Sequence, residues 1–291
     1  MPPSHPTRRA LLTTALVATA TTVLAGEATA GPESGVADPV ELGTPLMDVN
    51  LNGFVATAPD GTPVVYGVNN GRPAAITAVD ARTGQARWTR ELPEATAAGA
   101  FVQLTDGRLY LGAGGGHLYR VAWDTGEVED LGRALDTETE VMDLTLGPDG
   151  LLYGVTFPGA KLFSYDPATG RARDLGALAT DTGQGHAITT YQGRLYAGTM
   201  VPAHFLEIDP ATGDAKEIPL PPEAAPDDPQ TSIFDIDAAG GLLYVRAGDD
   251  VKHAPLFPYD PATGEWRPAI TEVAGLSLTP PGPNGEVYVM R

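Results

Sequence analysis

Short apolar runs separated by tight turns rich in Gly, Pro and Asp fill the chain and predict strands joined by hairpins. The pattern is clearest between residues 140 and 176. Glu140–Leu146 is an apolar strand, Gly147-Pro148-Asp149-Gly150 is a turn, and residues 151–157 form a second strand that carries Tyr153. Pro158-Gly159-Ala160 turns the chain into Lys161–Asp166, and Pro167-Ala168-Thr169-Gly170 leads to a more polar fourth strand at 171–175. Four such antiparallel strands make one small sheet.

The same unit recurs. Tyr165-Asp166-Pro167-Ala168-Thr169-Gly170 returns at 259–264 and, with Ile208 first, at 208–213, and there are looser copies at 79–84 and 123–126. The closing glycines fall at 84, 126, 170, 213 and 264, at intervals of 42, 44, 43 and 51 residues. A period in the low forties with several short strands per unit predicts an all-β chain folded as a β-propeller of four-stranded antiparallel blades. Five complete blades are expected at 53–93, 98–132, 140–176, 186–219 and 233–270. Tyr110, Tyr153, Tyr196 and Tyr244 recur in a Gly-x-Leu-Tyr second strand and read as packing between blades. Residues 275–281 and 286–290 supply only two strands of a sixth blade, and Pro39-Val40-Glu41-Leu42-Gly43 reads as a lone fourth strand. Two architectures fit: six blades with an incomplete last one, which is preferred, or a chain that stops inside a seven- or eight-bladed propeller.

Composition adds constraints. The 291 residues include 35 Gly and 27 Pro but only 19% charged side chains, which suits a turn-rich β protein. The formal net charge of -19 argues against nucleic-acid and anionic-membrane partners. There is no Cys, so disulfides and thiolate chemistry are excluded. Arg8-Arg9, an apolar run over residues 10–25 and Ala28-Thr29-Ala30 predict a twin-arginine-like signal peptide at 1–30, cleaved near Ala30. A linker at 31–38 and the propeller at 39–291 follow. Glu27 stands where a lipoprotein signal would need Cys, so no membrane anchor is expected. The chain reads as a secreted, extracellular monomer.

Candidate chemistry collects at one end. In an up-and-down blade the first and third turns share an end, and there Asp, Pro and Gly serve turn geometry. The longer loops lie at the other end. Nine residues before the repeat glycines stand His117, Lys161 and His204, while Arg72, Lys252 and His253 sit in equivalent turns. The first strands line the channel, and aligning them on their first-turn glycines places Phe54, Ala100, Asp143, His186, Phe234 and Leu278 at one level. Arg72, His117, Lys161, Lys252 and His253 are the candidate ligand-binding residues, and His186, Asp143 and His204 the candidate catalytic ones. His117, His186, His204 and Asp143 would together accept a divalent metal such as Zn²⁺, Mn²⁺ or Fe²⁺. Ordinary loop polarity is the plain alternative.

Ala78-Val79-Asp80-Ala81-Arg82-Thr83-Gly84-Gln85-Ala86-Arg87-Trp88 resembles the repeat of pyrroloquinoline-quinone (PQQ)-type propellers, within the wider class of WD40- and YVTN-like repeats. The resemblance implies the fold and a Trp88 packed between blades. The later repeats replace that Trp with Asp130, Asp174, Glu217 and Pro268, and there is no cysteine pair, so a quinone cofactor is not expected. The His-bearing mouth is also similar to those of polysaccharide lyases acting on uronates and of streptogramin lyases, which implies β-elimination. The function expected is binding of a small-molecule or carbohydrate ligand at the funnel mouth. The alternatives are a propeller lyase and a non-catalytic protein-interaction scaffold.

Overall fold

The computed structural model describes residues 51–274 together with Leu278, Tyr288 and Val289. All of them fall in the second of the two units into which the chain divides, Leu46–Arg291. The segments expected as signal peptide, linker and lone strand at 39–43, and most of the expected sixth blade, lie outside the described residues.

Five blades of four antiparallel strands follow one another, the fourth and fifth joined by a single Met200–Ser232 pairing; their bounds lie within two residues of those the repeat predicts, except that blade five ends at Trp266 rather than 270. Blade one is β1 (Leu51–Thr57), β2 (Pro63–Asn69), β3 (Ala74–Asp80) and β4 (Ala86–Leu92). Blade two is β5 (Ala98–Gln103), β6 (Leu109–Ala113), β7 (His117–Val121) and β8 (Val128–Arg133). Blade three is β9 (Glu140–Leu146), β10 (Leu152–Phe157), β11 (Lys161–Asp166) and β12 (Arg171–Ala177). Blade four is β13 (Gln184–Tyr191), β14 (Arg194–Met200), β15 (Phe205–Ile208) and β16 (Ala215–Glu217). Blade five is β17 (Ser232–Ala239), β18 (Leu242–Gly248), β19 (Leu256–Asp260) and β20 (Glu265–Trp266). The chain is a β-propeller. No helix among the described residues is long and apolar enough to cross a membrane.

The core lies between blades rather than within them. Four apolar clusters each join two successive blades. Tyr66, Leu111 and Tyr119 belong to the first, and Tyr110, Val141 and Phe163 to the one between blades two and three. Tyr110, Tyr153 and Tyr196 are buried as the repeat predicts, and the Tyr153 hydroxyl donates to Asp149 at 2.8 Å. Trp88 packs against Gly126 and donates its ring N–H to the Trp123 carbonyl of blade two at 3.0 Å.

The repeated Asp-to-Gly stretch is turn chemistry. The Gly84, Gly170, Gly213 and Gly264 N–H groups each donate to the main chain of the Asp four residues earlier at 2.8 Å. The same Asp side chains accept from the N–H two residues on. At the second strands the blades approach so closely that a side chain has no room. A Cβ on Gly198 would meet Ile233 of blade five at 2.4 Å. Gly198→Ala is therefore expected to cost about 1–3 kcal/mol of stability by overpacking. The cost should be seen as a lower midpoint in chemical denaturation, and an unchanged midpoint would contradict this account of the interface.

Candidate functional site

The innermost strands β1, β5, β9, β13 and β17 wall a central cavity of about 1010 Å³. Four of them carry a β-bulge at the same place, where one extra residue opposes the second strand. The extra residues are Gly99, Met142, His186 and Phe234, and all four line the cavity. A bulge turns one side chain out of the regular alternation, and here it turns that residue toward the channel.

The bulges and the first turns correct the alignment made from sequence. Blades two and three close their first hairpin with a longer turn than blades four and five. The latter use two-residue turns, Gln192-Gly193 and Gly240-Gly241, with both residues in the left-handed region. Counting back a fixed number from the glycine therefore slips by one residue in blades four and five. Ala100, Asp143, Ala187 and Asp235 share one register, opposite Gly112, Val155, Gly198 and Arg246. His186 is level with Met142, not with Asp143. Ala100 is buried in the core between blades two and three and does not line the cavity.

Of the eight predicted site residues, Asp143 and His186 line the cavity. Asp143 accepts hydrogen bonds from its neighbour Leu144 N–H and from Ile188 N–H on blade four, both at 2.8 Å. Ile188 is two residues past His186, so both side chains belong to one stretch of wall. Burial pushes the Asp143 carboxyl up to about 8, with the charges of Asp235 and Asp237 adding to the effect against the two N–H donors. Burial lowers the His186 pKa, and its Nδ1 is buried without a hydrogen-bond partner. At neutral pH the pair is thus a protonated acid and a neutral imidazole.

Sequence reasoning missed the other polar groups of the wall. Asp235 and Asp237 line the cavity, and Asp237 accepts from Leu278 N–H at 2.6 Å. Burial raises the Asp237 pKa as well. Phe54 stacks on Phe101 with centroids 6.0 Å apart and planes within 6°, and both rings line the cavity. The acidic residues were visible as Phe234-Asp235-Ile236-Asp237, a period-two alternation that puts both carboxyls on one face. Buried Glu138, also missed, accepts from the Thr156 hydroxyl and from Gly159 N–H, both at 2.8 Å, and ties the entry of blade three to its second turn.

The remaining six predicted residues stand away from the cavity. His117, Lys161 and His204 do occupy equivalent places at the start of the third strands. Each is held by a carboxylate on the fourth strand of its own blade: His117 by Asp130 at 3.0 Å, Lys161 by Asp174 at 2.6 Å and His204 by Glu217 at 2.8 Å. His204 also meets Asp181 at 2.9 Å. Burial alone would lower the His204 pKa, but the two carboxylates outweigh it and raise the value. His253 is exposed and pairs with Asp250 at 2.7 Å, and Arg72 and Lys252 are exposed. Third and fourth strands are the outer half of each blade, so His117, Lys161 and His204 pair with carboxylates on the rim, away from the channel wall. Among the described residues no three His, Asp or Glu side chains are grouped to hold a metal, and His117, His186, His204 and Asp143 do not assemble.

A family model described as outer membrane protein assembly factor BamB matches residues 28–266. No curated protein sequence matches the chain. Among solved structures, a catalytically inactive virginiamycin B lyase from Staphylococcus aureus, with quinupristin, is similar at 14% identity and a TM-score of 0.65, over 81% of this chain and 76% of that one. A streptogramin B lyase is similar at 16% identity and a TM-score of 0.66, over 85% and 78%. Hydrazine synthase from Kuenenia stuttgartiensis is similar at 16% identity and a TM-score of 0.58, over 80% and 69%. At these identities the likeness is one of fold.

The titration of Asp143 is directly measurable. Its carboxyl carbon resonance should shift with a midpoint near pH 8. Because the folded value exceeds the unfolded one, this group favours folding fully below the unfolded pKa, and that contribution is lost as pH rises toward and through 8. A midpoint near 4 would contradict the burial described.

Proposed function

We propose, on the premise that the chain belongs to the family of outer membrane protein assembly factor BamB with its PQQ-like repeats, that it is a secreted propeller whose central channel binds a small-molecule or carbohydrate ligand. One observation carries this reading. A cavity of about 1010 Å³ gathers Asp143, His186, Asp235 and Asp237 beside the stacked rings of Phe54 and Phe101. A concave, mostly apolar wall with a few converging polar groups is the usual form of a small-molecule site. Secretion is supported by Arg8-Arg9, the apolar run after them and Ala28-Thr29-Ala30. PQQ itself does not suit the wall. It is a tricarboxylate, the described lining residues include three Asp and no Lys or Arg, and the chain has no Cys.

A thermal-shift screen tests the reading. A ligand at about 100 times its Kd should raise Tm by roughly 5–10 °C. That rise should shrink in Asp143→Asn and His186→Ala and persist in the rim variants His117→Ala and Lys161→Ala. Stabilisers indifferent to both channel substitutions would overturn it.

A second reading, a propeller lyase, is favoured by the opposite protonation of two groups on one wall. Neutral His186 is suited to take a proton and protonated Asp143 to supply one, as in acid–base pairs whose surroundings separate their pKa values. The lyases of similar fold make the assay specific. An unsaturated product absorbing in the ultraviolet should form from a uronate polymer or a streptogramin B, with activity falling above pH 8. Absence of product from both substrates removes the reading.

A further inference from the structure

We infer that the channel takes a small organic cation, with its ammonium group among the carboxyls of Asp143, Asp235 and Asp237 and its alkyl groups against Phe54, Phe101 and Phe234. The inference rests on the channel being a ligand site, and it names the charge class of the ligand.

Two independent features of the wall point to it. The first is the charge balance. The ionisable lining residues are Asp143, Asp235, Asp237, His186 and Tyr288, and no Lys or Arg is among the described ones. Arg246 stands opposite Asp235 in the β17–β18 ladder. Its guanidinium is buried and donates to the carbonyls of Val251 at 3.0 Å and Val273 at 3.4 Å, away from the cavity lining. It lies close enough to act on Asp235, and Asp143 holds its proton at neutral pH, so an entering ammonium would meet Asp235 and Asp237 first and would favour release of the Asp143 proton. An anionic ligand would meet a field of its own sign here, in a chain of net charge -19.

The second feature is aromatic and does not depend on the acids. Phe54 and Phe101 are nearly parallel in their stack, and Phe234 sits at a bulge that turns it to the channel. Met142 occupies the equivalent bulge of blade three. Ring faces carry negative quadrupole density and attract a desolvated cation. The thioether of Met142 is polarizable and adapts to alkyl groups. A carbohydrate would need converging donors as well as acceptors. Among the described polar side chains of the wall the donors are few: Asn52, Thr145, Thr189, Tyr288, an imidazole and the protonated Asp143 carboxyl. Asn52 is committed to the Ala98 carbonyl at 3.1 Å and Thr145 to Thr190 at 3.2 Å.

The test uses three probes of one shape and different charge: choline, 3,3-dimethylbutan-1-ol and 3,3-dimethylbutanoate. Each is titrated calorimetrically into the full chain at low salt. Choline should bind at least about tenfold more tightly than the alcohol, and the carboxylate should not bind. Asp235→Asn and Phe101→Leu should each weaken choline about fivefold or more, and His117→Ala should leave it unchanged. The ranking of the three probes in the wild-type chain stands even where a substitution disturbs folding. Equal or tighter binding of the alcohol or the carboxylate, lost in the channel variants, overturns the charge assignment and leaves the channel as a ligand site. Failure of all three probes overturns the assignment too. If no stabiliser in the wider screen responds to the channel substitutions either, the ligand site falls with it.

Discussion

A four-stranded sheet has two faces and cannot hide both by itself, so each blade is stable only against its neighbours. In this chain that demand is met at the second strands. There, Gly198 admits Ile233 of the next blade, and Gly112 likewise admits Val141. The apolar clusters straddle successive blades for the same reason. Hydrogen bonds made by first strands add an inner belt: Asn52 donates to the Ala98 carbonyl, Asp143 accepts from Ile188 N–H and Asp237 accepts from Leu278 N–H. The residues nearest the axis therefore join blades as well as face the channel. Asp143 does both, which is why a carboxyl is held where burial keeps its proton on.

The acidic groups divide into two populations with different surroundings. Those on the rim accept hydrogen bonds from imidazole or ammonium partners, as Asp130, Asp174 and Glu217 do. Those on the channel wall have no cationic side chain beside them in the lining, and burial raises the pKa of Asp143 and Asp237. Ionic partners are thus concentrated where the protein gains little from them, since exposed pairs contribute only about 0–1 kcal/mol. On the channel wall, a held proton takes the place of a cationic partner at Asp143.

The blades were legible because their turns depend on local chemistry. Asp caps the turn and Gly supplies the positive φ, so the glycines at 84, 170, 213 and 264 mark the same backbone event each time. The equivalence of His117, Lys161 and His204 was legible for the same reason. Their surroundings were not, because the partner carboxylates come from a different strand, and position along the blade says nothing about distance from the axis. The level of His186 was misjudged because Gln192-Gly193 closes its hairpin with a shorter turn, and one residue of slip moves a side chain to the other face of a strand. Glu138 gave no periodic signal, since it lies in a connection that occurs once.

The bulge has a consequence for how such a molecule can change. Equivalent backbone sites hold Gly99, Met142, His186 and Phe234, which range from no side chain to a large ring, on strands whose ladders are otherwise alike. A place that accepts such unlike volumes is one where packing exerts little selection. Four such places around one axis form a set of interchangeable fittings on a fixed frame. The side chains that face the channel can change at those points while the scaffold that carries them stays the same.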